Sequence, residues 1–91
     1  MTPLQHRIGE VVAALQPGEV VSYQEVARRA GSSRAARAVG AFLAEFGDGL
    51  PWWRVVHKDG TLSAPNKRKQ RARLVDEGVD VINSRVQSPI P

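Results

Sequence analysis

The chain has 91 residues, with thirteen Lys and Arg against nine Asp and Glu, a net charge of +4, and no cysteine. That length fits one domain with a small core, and the missing cysteines exclude disulfides, thiolate catalysis and cysteine-bound metal. With His6 and His57 as the sole imidazoles, no acidic cluster at ligand spacing, no apolar run of transmembrane length and no signal-peptide stretch, the sequence predicts a cytoplasmic protein with no metal, no other cofactor and no membrane role.

Thr2-Pro3-Leu4-Gln5 opens the first helix. Thr2 can cap, Pro3 suits the first helical position, and Gln5 completes a capping box. Leu4, Ile8, Val11, Val12 and Leu15 form one apolar stripe, and Pro17-Gly18 ends the helix. Val20-Val21 reads as a short extended link. Ser22 with Glu25 three residues on is a second capping box, and the short helix behind it turns Val26, Ala27 and Ala30 inward. Gly31 reads as a left-handed helix stop, and Ser32 or Ser33 as the cap of a third helix running to about Phe46. Its expected core stripe is Ala35, Ala38, Val39, Phe42 and Phe46, with Leu43 beside it.

Two helices joined by a tight glycine-containing turn form a helix-turn-helix pattern, with Arg34 and Arg37 in the first turns of the second helix, the end that meets DNA in this motif. Away from its stripe that helix is small, with Ala36, Gly40, Ala41 and Ala44, so its backbone can approach another surface closely. Gly40 costs about 1 kcal/mol of helix propensity relative to Ala, for which such an approach, to DNA or to another helix, is the reason.

Trp52 to His57 reads as a strand, Lys58-Asp59-Gly60 as a turn and Thr61-Leu62 as a short return strand, with Ser63 to Asn66 as loop. On a strand the two adjacent tryptophans point to opposite sides. Lys67 to Glu77 reads as a basic helix with Leu74 and Val75 as its apolar contacts, stopped by Gly78, and Val79 to Val81 as a small strand. Residues 1–82 are expected to form the single folded domain. Residues 83–91 have little to bury and are expected as a flexible tail. The cations fall in two groups, Arg28, Arg29, Arg34 and Arg37, then Lys67, Arg68, Lys69, Arg71 and Arg73; such groups suit a nucleic acid and also describe solvated helix faces.

The stretch VSYQEVARRAGSSRAARAVGAFLAEFGDGLPWWRVV resembles the DNA-binding domain of the O6-alkylguanine-DNA alkyltransferases. Ala36-Arg37-Ala38-Val39-Gly40 is similar to one signature of that family. Pro51-Trp52-Trp53-Arg54-Val55 stands where the family has Pro-Cys-His-Arg-Val, with the reactive cysteine replaced, as in the alkyltransferase-like proteins. Gln70 to Val79 resembles the family's last helix, and the likeness covers roughly residues 5 to 82.

The resemblance implies a mainly α fold with a small β-hairpin, a winged-helix-like helix-turn-helix domain of the alkyltransferase C-terminal type. It implies a monomer that binds double-stranded DNA containing O6-alkylguanine, flips the lesion out through the minor groove and directs it to excision-repair proteins without repairing it. By the same resemblance Arg37 enters the base stack and Tyr23 pushes on the adjacent phosphate. Trp52 then lines the lesion pocket and Val55 forms its wall. Ser33 and Arg34 are positioned for phosphate contact, and Ala36 and Gly40 for close approach to DNA. No catalytic residue is implied. Trp53 replaces the family's base and is expected in the core or against the last helix, Arg54 is expected to be structural, and His57 to lie on the surface. The segment after Leu62 is short for the family's closing loop, which leaves Lys67 and Arg68 as candidates to close the pocket. A winged-helix transcriptional regulator without lesion specificity remains the alternative, since the third helix and a 52–62 hairpin share that outline.

Overall fold

The computed structural model describes residues 1–63 and 66–91. Helix α1 spans Pro3–Ala13, and its capping box forms in full: Thr2 Oγ1 accepts from the Gln5 backbone while the Gln5 side chain accepts from the Thr2 backbone. Strand β1, Val21–Ser22, leads straight into α2, Tyr23–Arg29. Ser22 caps α2 through Glu25 N, but the second capping box is only half formed. The Glu25 carboxylate turns outward to Arg28 and Arg29, and Ser22 N donates to Pro91 O instead.

Gly31, at φ +86°, ends α2 as the sequence predicts. Gly31 N donates to Arg28 O and Ser32 N to Ala27 O, which satisfies two carbonyls at the helix end. A third, Ala30 O, accepts from Arg7 Nε at 2.7 Å and ties α1 to the turn. Helix α3 begins later than the serines suggest, at Ala36, and runs to Phe46. Ser32 to Ala35 form a turn closed by Ala35 N on Ser32 O, so neither Ser32 nor Ser33 caps α3. Val39 and Phe42 are buried, whereas Ala38, expected in the stripe, is exposed.

The largest departure lies at 52–62. Trp52–Arg54 is a single 3-10 turn, and β2 is only Val55–Val56. β2 pairs in parallel with β1, Val21 opposite Val55 and Ser22 opposite Val56. The expected return strand does not pair back onto it beyond two bonds at the turn, from Gly60 N to His57 O and from His57 N to Thr61 O. Thr61 bridges Arg85 instead, Leu62 N donates to Ser84 O, and Val86 N donates to Gly60 O. Gly60 permits this approach: it sits at φ +88°, and a Cβ there would lie 2.7 Å from Val86 O.

Helix α4, Lys67–Asp76, buries Leu74 as expected, but Val75 is 47% exposed and Gln70 is fully buried in its place. The small hairpin of the fold is built from β3, Val81–Ile82, and β4, Arg85–Val86, which are antiparallel. Asn83 and Ser84 make its two-residue turn with positive φ at both positions, the twist that matches paired strands. Residues 83–91, read from sequence as a flexible tail, therefore carry packing of their own. Val86 is buried, Ile90 packs on the second core cluster, and both Ser22 N and Ser22 Oγ donate to Pro91 O. The main core joins α1, α2 and α3 through Ile8, Val12, Val26, Val39 and Phe42, and the second gathers Val56, Leu62, Leu74, Val81 and Val86. Of the loop expected over 63–66, residues 64 and 65 lie outside the described residues.

Candidate lesion-binding site

A cavity of about 340 Å³ opens between α2, α3 and α4. That volume is at the lower end of what small-molecule sites enclose. Tyr23 enters from the first position of α2, and Gly40, Leu43, Ala44 and Glu45 from α3. Gly47 and Asp48 continue that wall, Trp52 comes from the 3-10 turn, and Ser63, Asn66 and Lys69 complete the lining. Trp52, Tyr23 and Gly40, singled out from sequence, are therefore brought together. Val55 is not: it is fully buried in the main core, because the strand that carries it pairs with β1 and faces inward. The pocket-wall role expected of Val55 passes to α3. Lys67 and Arg68 are absent from the lining, and Lys69 is the α4 cation found there.

The two tryptophans separate by a different device from the expected strand alternation. In the 3-10 turn their rings meet edge to face, 6.0 Å apart at 87°. Trp53 packs on the second core cluster and against α4, with the Arg73 guanidinium 4.5 Å from its ring centroid and that of Arg54 at 5.2 Å. Its indole N–H donates to Glu77 at 2.8 Å. Trp52 is thus backed by a ring that is held on several sides.

Glu77 is the hub of this support. Arg54 donates to its carboxylate from Nε and Nη2, the latter at 2.7 Å, and Gly18 N donates at 2.8 Å. The remaining Arg54 nitrogen, Nη1, donates to Leu15 O at 2.8 Å. Arg54 is therefore structural, as expected. Hydrogen bonding from Arg54 first, with Gly18 and Trp53 after it, outweighs burial and holds the Glu77 carboxyl down to about 2.

A second polar chain fixes Tyr23. Its hydroxyl shares a hydrogen bond with the Ser63 hydroxyl, and Ser63 N donates to Gln70 Oε1 at 2.9 Å. Gln70 Nε2 donates to Val55 O at 2.9 Å and to Trp53 O at 3.2 Å, so this buried amide is satisfied at both ends. The same glutamine braces the tyrosine wall and the backbone behind Trp52. His57 is exposed, its ring 5.3 Å from that of Tyr23.

Arg37 and Arg34 are exposed at the start of α3, as is Ser33, while Ala36 is half-buried at its first position. All four lie outside the cavity lining: Arg37 and Ala36 are on the helix whose later turns form its wall, while Ser33 and Arg34, expected at its start, sit in the turn before it. The first cationic group divides here. Arg28 and Arg29 are bound to Glu25, whose carboxyl the Arg28 and then the Arg29 hydrogen bonds pull down to about 2. Among the described residues, Arg34 and Arg37 make no ion pair, so their charge is available to an outside anion. Also among the described residues, no group of three or more His, Asp or Glu is placed to hold a metal ion, and no helix is long and apolar enough to cross a membrane.

Sequence reasoning missed Glu45, Asp48, Ser63, Asn66 and Lys69 at the cavity, and Gln70 and Glu77 behind it. Only Gln70 carried a sequence signal, as a polar residue on the face that Leu74 marks as inward.

Residues 3–79 match the family model described as the 6-O-methylguanine DNA methyltransferase DNA-binding domain. The chain is 46% identical over 82 residues to the DNA base-flipping protein of Escherichia coli, and it spans less than two thirds of that relative, the match covering 86% of this chain and 64% of the other. It is 31% identical over 81 residues to alkyltransferase-like protein 1 of Schizosaccharomyces pombe, covering 82% of this chain and 75% of that protein. The fold is similar to that of S. pombe Atl1 in complex with damaged DNA containing O6-carboxymethylguanine: TM-score 0.82, 30% identity, 90% of this chain and 82% of the other. It is also similar to O6-methylguanine methyltransferase of Mycobacterium tuberculosis, with TM-score 0.71, 30% identity, and 85% of this chain against 49% of that one.

Proposed function

The chain belongs to the family of the 6-O-methylguanine DNA methyltransferase DNA-binding domain, and from that premise we propose that it is a non-enzymatic sensor of O6-alkylguanine in duplex DNA. The observation that carries this reading is the cavity in which Trp52 and Tyr23 share a lining beside the helix bearing Arg37. Extruding a nucleotide costs a few kcal/mol of unstacking and unpairing, and least when the base is damaged. The Arg37 guanidinium is planar and, lying outside the cavity, can take the place the base leaves in the stack. The indole of Trp52 offers the extruded base an apolar face, a contact worth about 1–3 kcal/mol. Together these offset the extrusion without any chemistry. Arg34 and Ser33, in the turn before α3, and Ala36 and Gly40 on it supply contacts to the DNA backbone, and the open space beside Gly40 lets the duplex approach closely.

Alkyl transfer needs a thiolate and a base to generate it. The chain contains no cysteine. Indole has a donor and no acceptor, and the Trp53 N–H is already given to Glu77, so neither tryptophan replaces those functions. The lesion, once held, passes to excision-repair proteins, and the chain acts as a cytoplasmic monomer. The regulator alternative loses its main support, since residues 52–62 do not form a wing.

Titration of matched duplexes that differ by one O6-methylguanine tests the reading. Tighter binding to the lesion in every flanking sequence is expected; preference for one sequence regardless of the lesion overturns it.

A further inference from the structure

The cavity has a charge opposite to that of the protein around it. The chain carries +4, yet the charged groups in the lining are Glu45, Asp48 and Lys69, which leaves the cavity one charge negative. Of the seven acidic residues elsewhere, Glu19, Glu25, Asp59 and Glu77 lie in ion pairs, and Glu10, Asp76 and Asp80 lie outside the cavity lining. Among the described residues, Glu45 and Asp48 engage in none, and their side chains make no hydrogen bond. Unneutralised carboxylates beside a DNA-facing helix weaken binding to every duplex, since they repel phosphates. Their effect on what enters the cavity is selective. A base seated there covers the mouth with DNA, removes water and lowers the screening that the open cavity enjoys.

We propose that this acidic wall makes the cavity selective for neutral and cationic O6-adducts over anionic ones. The inference rests on the lesion-binding reading above and adds the class of adduct. The exocyclic amine of a flipped guanine derivative gives a carboxylate a donor, so a neutral adduct is tolerated. An adduct that carries its own carboxylate adds a like charge with one ammonium, Lys69, to meet it. The expected discrimination is at least about fivefold, since about 1 kcal/mol is the repulsion between like unit charges at close range in water and covering the mouth raises it.

The test compares the full chain on matched duplexes carrying guanine, O6-(2-hydroxyethyl)guanine or O6-carboxymethylguanine at one position. The two adducts are close in size and differ in charge. Wild type is expected to bind the hydroxyethyl duplex at least about fivefold tighter than the carboxymethyl one, with a smaller ratio at high salt. Glu45→Gln combined with Asp48→Asn is expected to tighten all three and bring the adduct ratio close to one, while Lys69→Gln widens it. Both acidic side chains are exposed, so these substitutions leave the core untouched. Equal binding of the two adducts by wild type overturns the inference, as does a ratio unchanged in the doubly substituted variant, while lesion preference over guanine stands in either case. Binding neither adduct better than guanine overturns the lesion reading itself, and this inference with it.

Discussion

Replacing Glu77 by Gln probes the support of the site most directly. The substitution keeps an acceptor for the Trp53 indole and removes the charge that faces Arg54, whose side chain is 10% exposed. Depression of the carboxyl from 4.5 to about 2 corresponds to about 3 kcal/mol of folding free energy. Arg54 is buried and Glu77 partly so, and the about 3–5 kcal/mol for removing one partner of a fully buried pair sets the upper range of this loss. For a domain of this size the loss is a large part of a total of roughly 5–10 kcal/mol, and each kcal/mol lowers Tm by about 4–8 °C. Urea denaturation at neutral pH is therefore expected to show Glu77→Gln less stable by about 3 kcal/mol. The pH dependence supplies the sharper check. Because the folded carboxyl is depressed, its contribution is complete above the unfolded value near 4.5 and is lost as pH falls from there toward 2. The gap between wild type and variant should close across that window. A gap of the same size at pH 7 and pH 3 refutes the assignment of the stability to the Glu77 charge.

Arg37→Ala should abolish most of the lesion preference while keeping salt-dependent affinity for plain duplex, read by titration at two salt concentrations; unchanged preference counts against insertion into the stack. Trp52→Ala should weaken lesion binding by about 1–3 kcal/mol and plain-duplex binding much less, and equal losses would make that ring a core element only. Trp52→Cys should give no alkyl transfer, since Trp53 supplies no base; a mass gain on the protein after incubation with lesion duplex would refute this.

The sequence was legible where local chemistry decides the structure. Thr2, Pro3 and Gln5 announced the start of α1, and Gly31 the end of α2, because caps and stops are satisfied by neighbours a few residues away. It misled where long-range partners decide. The Trp52–His57 stretch has the composition of a strand, but Arg54 must turn inward to reach Leu15 O and Glu77, and a 3-10 turn delivers it there. Ser22 looked like one half of a capping box, but Arg28 and Arg29 compete for Glu25 and win. The family likeness put Trp52 and Tyr23 side by side, and both do line one cavity, whereas Val55 was misplaced because its strand partner, Val21, is over thirty residues away. Glu45 and Asp48 gave no signal, since an acidic side chain at a helix end is ordinarily just solvated.

The pairing of β1 with β2 spans only two residues on each strand, yet it welds the segment just before Tyr23 to the one that follows the 3-10 turn carrying Trp52. The rings that would grip an extruded base are consequently set at a fixed separation in the free protein, with their ordering entropy spent during folding and not on contact with DNA. On the proposed function, a damaged site would then differ from an intact one chiefly in how long it is retained, more than in speed of encounter.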